Sequence, residues 1–145
     1  MIWKQPFNEE VLNTLSQNCM VGHLGIRFTG FGPDYLEATM PVDYRTKQPD
    51  GILHGGASVA LAETLGSVAA TLCLEDFENT NIVGLEINAN HLSSVREGFV
   101  IGRATPVKIG RRIQVWNIEI RDDKDKMICI SRLTTAVIEN SHQKK

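Results

Sequence analysis

The spacing of apolar and polar positions divides the chain into a helical opening, two extended runs, one long apolar helix and four further extended runs. Asn8 precedes Glu9 and Glu10, and Val11, Leu12 and Leu15 follow at helical spacing. Residues 8–18 are therefore predicted as a short amphipathic helix with a capped, acidic first turn. From Leu24 the period drops to two, with Leu24, Ile26 and Phe28 alternating with Gly25, Arg27 and Thr29. The turn residues at 30–34 and the renewed alternation of Leu36, Ala38, Met40 and Val42 predict a hairpin with one buried face.

A polar loop fills residues 43–55, and a helix is predicted over 56–74. Its apolar residues fall on nearly every side, so it has to be enclosed by protein almost all round. Beyond the acidic segment 75–79 come the four extended runs. In the first, Val83, Leu85, Ile87, Ala89 and His91 are predicted to share one face. The others cover residues 97–105, the stretch around Trp116, Ile118 and Ile120 after a turn at Gly110, and residues 127–138 after the charged turn at 122–126. Short links imply antiparallel neighbours. The expected fold is α+β: a six-stranded antiparallel sheet curled around one long central helix, with a short N-terminal helix. Residues 1–138 form the single expected domain, and 139–145 a polar tail expected to fray. One helix cannot cover such a sheet, and the leftover apolar edge points to a homodimer.

Composition narrows the function. The chain has 145 residues, with 15 Lys and Arg against 17 Asp and Glu for a net charge of -2, which argues against an electrostatic nucleic-acid binder. The most apolar stretch, 57–74, carries Glu63 and reads as a core helix, not a membrane span. The N-terminus shows no basic region followed by an apolar one, so no signal peptide is expected. Cys19, Cys73 and Cys129 are odd in number and match no metal or redox spacing, which suggests reduced thiols in a cytoplasm. His23, His54, His91 and His142 form no metal-binding pattern, so no metal is expected. Nucleotide-cradling glycine loops and a serine nucleophile elbow are also missing.

One cluster stands out: residues 48–56, reading Gln-Pro-Asp-Gly-Ile-Leu-His-Gly-Gly, followed by Glu63 and Ser67 in the apolar helix. A buried carboxylate is costly without a partner. Ser67, four residues on, shares its helical face, and Gly56, seven residues earlier, carries that stripe back to the helix start. There, unpaired N–H groups and the positive end of the helix dipole can polarise an oxygen. Paired glycines allow close backbone approach. A carboxylate, an imidazole and oriented N–H donors are the parts needed for acyl transfer to water. Ordinary structural roles are open to each residue as well. Glu63 could pair with Arg103 or Arg132, His54 could cap backbone groups, Gly55 and Gly56 could simply start a tightly packed helix, and Ser67 could bond its own helix.

The run from Gly51 through His54, Gly55 and Gly56 to Glu63 resembles the signature of hotdog-fold acyl-CoA thioesterases, in the branch of the 4-hydroxybenzoyl-CoA type that carries its acidic residue on the central helix. Residues 36–43, 83–91, 114–116 and 131–134 extend the likeness over most of the chain. Within that family it is most similar to the 1,4-dihydroxy-2-naphthoyl-CoA hydrolases of menaquinone synthesis, and also to the proofreading thioesterases of enterobactin synthesis. The resemblance implies that Glu63 acts as nucleophile or general base on the thioester carbonyl, and that Gln48 positions the carbonyl or the water. It implies that His54 and Gly55 polarise the thioester oxygen, chiefly through the Gly55 amide, and that Ser67 holds water or the product carboxylate. It further implies dimers with active sites between subunits, paired into homotetramers. No cofactor is implied, since coenzyme A is part of the substrate; an acyl or aryl carrier protein is the alternative thiol donor.

The coenzyme A path implied by the resemblance runs along Val83, Gly84, His91, Leu92, Ser93 and Ser94. Arg96, Lys108, Arg111 and Arg112 are the candidates to meet its phosphates. Two departures from the family pattern are Asp50, where close relatives carry an aromatic residue, and Ser93, where many carry a basic one. A hotdog hydratase and a non-catalytic acyl-CoA binding module are the competing expectations.

Overall fold

The structure, a computed structural model, describes residues 1–140. The first helix, α1 (Glu9–Leu15), starts where the sequence predicts it: the Asn8 side chain accepts a hydrogen bond from the Val11 N–H, an N-cap. A second, four-residue helix, α2 (Met20–His23), was not foreseen. It lies just before the run read as extended from Leu24, and Leu24 is its C-cap, so the first strand, β1, starts only at Arg27 and ends at Phe31.

β1 pairs antiparallel with β2 (Leu36–Pro41), as the alternation predicts. The long helix α3 (Gly55–Leu72) follows, then β3 (Thr80–His91), β4 (Phe99–Ile109), β5 (Ile113–Asp122) and β6 (Met127–Glu139). All six strands form one antiparallel sheet in the order β1-β2-β4-β5-β6-β3. This is the hotdog fold. β6 extends to Glu139 and the Asn140 N–H donates to the Asn79 carbonyl, so the expected frayed tail does not begin at 139; residues 141–145, including His142, lie outside the described residues.

The core lies between the sheet and one side of α3. Leu61, Leu65 and Ala69 of the helix and Leu36, Met40, Trp116, Ile118, Ile120 and Leu133 of the sheet are fully buried. Burying each large side chain contributes roughly 1.5–3 kcal/mol before entropy is counted. The helix is not enclosed all round, contrary to the sequence expectation. Its opposite face, with Ala60, Glu63, Thr64, Ser67 and Val68, is only half-buried within one chain.

The strand β3 is the second correction. A β-bulge between Gly84 and Glu86 shifts its phase, so Ile82, Ile87 and Ala89 pack on the core while Leu85 is 58% exposed. An extra residue in one strand reverses the alternation beyond it, which period-two reading cannot anticipate. β3 is also an edge strand, with a free side along its 12 residues.

Candidate active site

The start of α3 is built by two histidines around two glycines. His54 is the N-cap, and its Nδ1 accepts a hydrogen bond from the Gly56 N–H at 2.8 Å. An accepting Nδ1 fixes the neutral tautomer with its proton on Nε2. A Cβ on Gly56 would lie 2.9 Å from that His54 nitrogen, and a Cβ on Gly55 would lie 2.8 Å from His91 Nε2. With the Gly56 amide taken by His54, the Gly55 N–H remains without a partner among the described residues. It is the first amide of an 18-residue helix, where the dipole is positive.

Gln48 stands beside it. Its Oε1 accepts from the Asp50 N–H, which leaves the Nε2 amino group as a donor with no partner among the described residues. Arg96 fastens the same loop by donating from Nη1 to the Asp50 carbonyl at 3.1 Å. Gln48, Gly55, His91, Leu92, Ser93 and Ser94 share the lining of a cavity of about 430 Å³. The Leu92 and Ser93 amides both donate to the Ile128 carbonyl, which holds this end of β3 in place.

Glu63 and Ser67 lie elsewhere. They share a cavity of about 420 Å³ with Thr64, Ala60 and Val68 of α3 and with Met20, Val21, Leu24 and Ile26 from the α2 region. The Glu63 carboxylate makes no ion pair or hydrogen bond among the described residues. Arg103, a candidate partner, is bound to Glu37 at 2.7 Å and stacks on Tyr35, and Arg132 is exposed. Glu63 is half-buried and opens into the cavity, so it is less enclosed than its apolar surroundings in sequence suggest. Its Oε1 lies 2.7 Å from where a Gly84 Cβ would be, so the carboxylate rests on the β3 backbone at the bulge. The Ser67 hydroxyl likewise has no partner among the described residues.

The eight-residue step from Gly55 to Glu63 spans about 12 Å along the helix. The two cavities have no lining residue in common. One chain therefore does not bring its Gly55 amide and its Glu63 carboxylate to the same atom, although the sequence carries the Glu63 stripe back to Gly56 at the helix start. Gly84 sits beside Glu63, with Val83 next to it in β3, and His91 to Ser94 line the Gly55 cavity at the C-terminal end of the strand. Lys108 is exposed at the end of β4, and Arg111 and Arg112 occupy the β4–β5 turn. Arg111 shares a cavity with Cys73 and Leu74 beyond the C-terminal end of α3, so it is remote from Gly55 in the same chain.

Three elements of this site escaped sequence reasoning. They are the α2 wall of the Glu63 cavity, the Gly84 seat of the carboxylate, and the amide orientation of Gln48. A glycine within an alternating extended run was the one available signal for the second.

The family profile described as the thioesterase superfamily matches residues 50–129, which include His54, Gly55, Glu63, Ser67, Gly84 and His91. The chain belongs to the thioesterase superfamily. It is similar to the 1,4-dihydroxy-2-naphthoyl-CoA hydrolase of Escherichia coli, 58% identical over 95% of this chain and 100% of that one. It is similar also to the proofreading thioesterase EntH of Cronobacter sakazakii, 51% identical over 95% of this chain and 99% of that one. A crystal structure of a Haemophilus influenzae thioesterase superposes with a TM-score of 0.95 at 56% identity, covering 100% of both chains. This thioesterase-superfamily protein is thus an enzyme, a hydrolase of thioesters. Among its described residues, no helix is long and apolar enough to cross a membrane.

Proposed function

We propose that the protein hydrolyses aryl-CoA thioesters, with 1,4-dihydroxy-2-naphthoyl-CoA as the leading substrate, in active sites shared between two copies of the chain. The observation that carries the proposal is the unpaired Glu63 carboxylate, facing an apolar cavity and resting on the free edge strand. In each site Glu63 would come from one copy, and Gln48 and the Gly55 amide from the other. Antiparallel pairing of two β3 edges about a two-fold axis near Ile87 and Asn88 sets Gly84 of one copy opposite His91 of the second. Glu63 rests on Gly84 and Gly55 on His91. That register therefore joins the two half-sites, and it also covers the exposed edge.

The chemistry then follows from the groups present. Glu63 supplies an electron pair, either to the carbonyl carbon or to a proton of water that attacks it. Negative charge gathers on the thioester oxygen, which the Gly55 N–H and the Gln48 amino group stabilise by donating to it. The C–S bond breaks and the thiolate leaves, taking up a proton. When water attacks, this gives the free carboxylic acid directly; when Glu63 attacks, the acyl group is left as an anhydride on Glu63, which water then cleaves to the acid and the restored carboxylate. One oriented donor in such a site is typically worth about 2.7–4 kcal/mol. His54 acts through the Gly56 amide, holding the helix start, and Ser67 is placed to bond the water or the product carboxylate. The apolar wall of Met20, Val21, Leu24 and Val68 suits a flat aromatic acyl group.

On this reading the coenzyme A arm passes Val83 and Gly84 and runs towards His91 to Ser94. Arg96 lies near that end, while Lys108, Arg111 and Arg112 would meet the nucleotide only from another copy, as in a pairing of dimers into a tetramer. Cytoplasmic coenzyme A pools supply such a substrate. Carrier-bound 2,3-dihydroxybenzoyl thioesters are the second reading, favoured by the similarity to EntH.

The test is thiol release from a panel of 1,4-dihydroxy-2-naphthoyl-CoA, benzoyl-CoA, carrier-bound 2,3-dihydroxybenzoyl thioester and medium-chain acyl-CoAs, with wild type and Glu63→Gln. Aryl-CoA hydrolysis should dominate, and Glu63→Gln should lower kcat by about a thousandfold with an unchanged melting temperature. Near-normal turnover by Glu63→Gln would remove Glu63 from the chemistry. Coenzyme A binding without thiol release from any thioester would favour a binding module.

A further inference from the structure

We infer that His91 is a positioning residue for the Gly55 amide: its imidazole fills the space that a side chain at 55 would occupy and fixes where the first N–H of α3 points. The inference rests on the reading of Gly55 as the donor to the thioester oxygen. Three ring atoms of His91 lie close to the place of a Gly55 Cβ: Nε2 at 2.8 Å, Cε1 at 3.0 Å and Cδ2 at 3.3 Å. The ring therefore lies against the glycine along its edge, not at a single atom. No other residue comes among the three nearest atoms at that point, so nothing else takes up this space so closely.

The backing of His91 is firm although the residue itself is exposed. It is the last residue of β3, in register with Cys129 of β6, and the two amides that follow it both donate to the Ile128 carbonyl. On the far side of the helix start, His54 grips the Gly56 amide. The free Gly55 amide is thus bracketed, with one histidine holding its neighbour by a hydrogen bond and the other filling the place of the Cβ that Gly55 lacks. This also accounts for the two consecutive glycines. Position 56 is kept small by His54 and position 55 by His91, whereas a helix start needs neither for its own sake.

A residue that only contacts the coenzyme A nucleotide would affect substrate binding, whereas a residue that sets the amide would affect the chemical step. The two are separated by a thioester without a nucleotide, S-benzoyl-N-acetylcysteamine, measured beside benzoyl-CoA. His91→Ala should lower kcat on both substrates by about ten- to a hundredfold, the loss expected when a reacting group is misplaced by a fraction of an ångström to an ångström. KM for the short thioester should stay within about twofold of wild type, as expected where only the transition state is affected. His91→Gln, which restores part of the bulk, should recover part of kcat.

The decisive comparison is a double-mutant cycle with Gly55→Ala. In wild type the new Cβ has to push into the imidazole, but in the His91→Ala background that space is open. The two losses should therefore be strongly non-additive, with Gly55→Ala costing at least about tenfold less when His91 is absent. A melting temperature for each variant separates misfolding from misplacement, and His91→Gln serves as the second probe if His91→Ala is unstable.

Unchanged kcat with a raised KM for benzoyl-CoA alone would make His91 a nucleotide contact and overturn the inference. Losses that simply multiply would also overturn it. If Glu63→Gln is inactive while His91→Ala turns over normally, the inference falls and the proposed function stands. If wild type hydrolyses neither thioester, both fall.

Discussion

Gly84 shows how much of this protein's chemistry depends on a missing side chain. The Glu63 carboxylate occupies the place where a Cβ at 84 would stand, at 2.7 Å, and the atom in the way is the end of a flexible side chain. Gly84→Ala should therefore fold, because Glu63 can swing aside, but the carboxylate loses its seat. The expected result is a fall in kcat of about a hundredfold with a melting temperature near that of wild type. Steady-state kinetics alongside a thermal melt check it, and equal losses of stability and activity would argue against the seat. The cysteines give a simpler expectation. Burial pushes the Cys73 thiol up to about 11 and raises that of Cys129, while Cys19 is exposed. A disulfide reagent at pH 8 should titrate one thiol in the native protein and three in denaturant, because the buried two stay protonated and shielded.

Local sequence signals fixed the long elements well and the short or irregular ones poorly. The capped start of α1, the β1–β2 hairpin and the span of α3 follow from periodicity and capping chemistry that are complete within a few residues. The helix α2 has only four residues, too few for a period to register, and the bulge at Gly84 and Glu86 inverts a pattern that looks regular in sequence. The N-terminal segment is another case of order set by distant partners. Trp3 stacks on Trp116 with ring planes 5° apart and donates from Nε1 to the Gly32 carbonyl at 2.8 Å, while the Lys4 and Gln5 amides donate to the Leu72 carbonyl at the end of α3. Trp3→Ala should cost about 3 kcal/mol of stability, measured by urea unfolding. Activity at 25 °C should survive, since Trp3 lines neither half-site.

At the level of the assembled protein, the candidate site residues were legible as a cluster in sequence, but their division was not. Gln48, His54, Gly55, Glu63 and Ser67 fall within twenty residues, and helical phase sets Gly56, Glu63 and Ser67 on one face. Phase says nothing about height along the axis, and about 12 Å of helix rise separates the Gly55 donor from the Glu63 carboxylate. A twelve-residue free edge and a half-covered helix face are what a second copy would cover on the proposed reading; the sequence already points to a homodimer, but not to the edge it would use. The account therefore stands or falls on whether Glu63 and Gln48 of different copies act on one thioester. Co-expression of Glu63→Gln and Gln48→Ala chains in equal amounts tests this directly, because each mixed dimer should hold one intact site and one doubly damaged site. Random pairing about a two-fold axis should restore about a quarter of wild-type aryl-CoA turnover, well above either variant alone. Turnover no greater than the mean of the two separate variants would contradict the shared site.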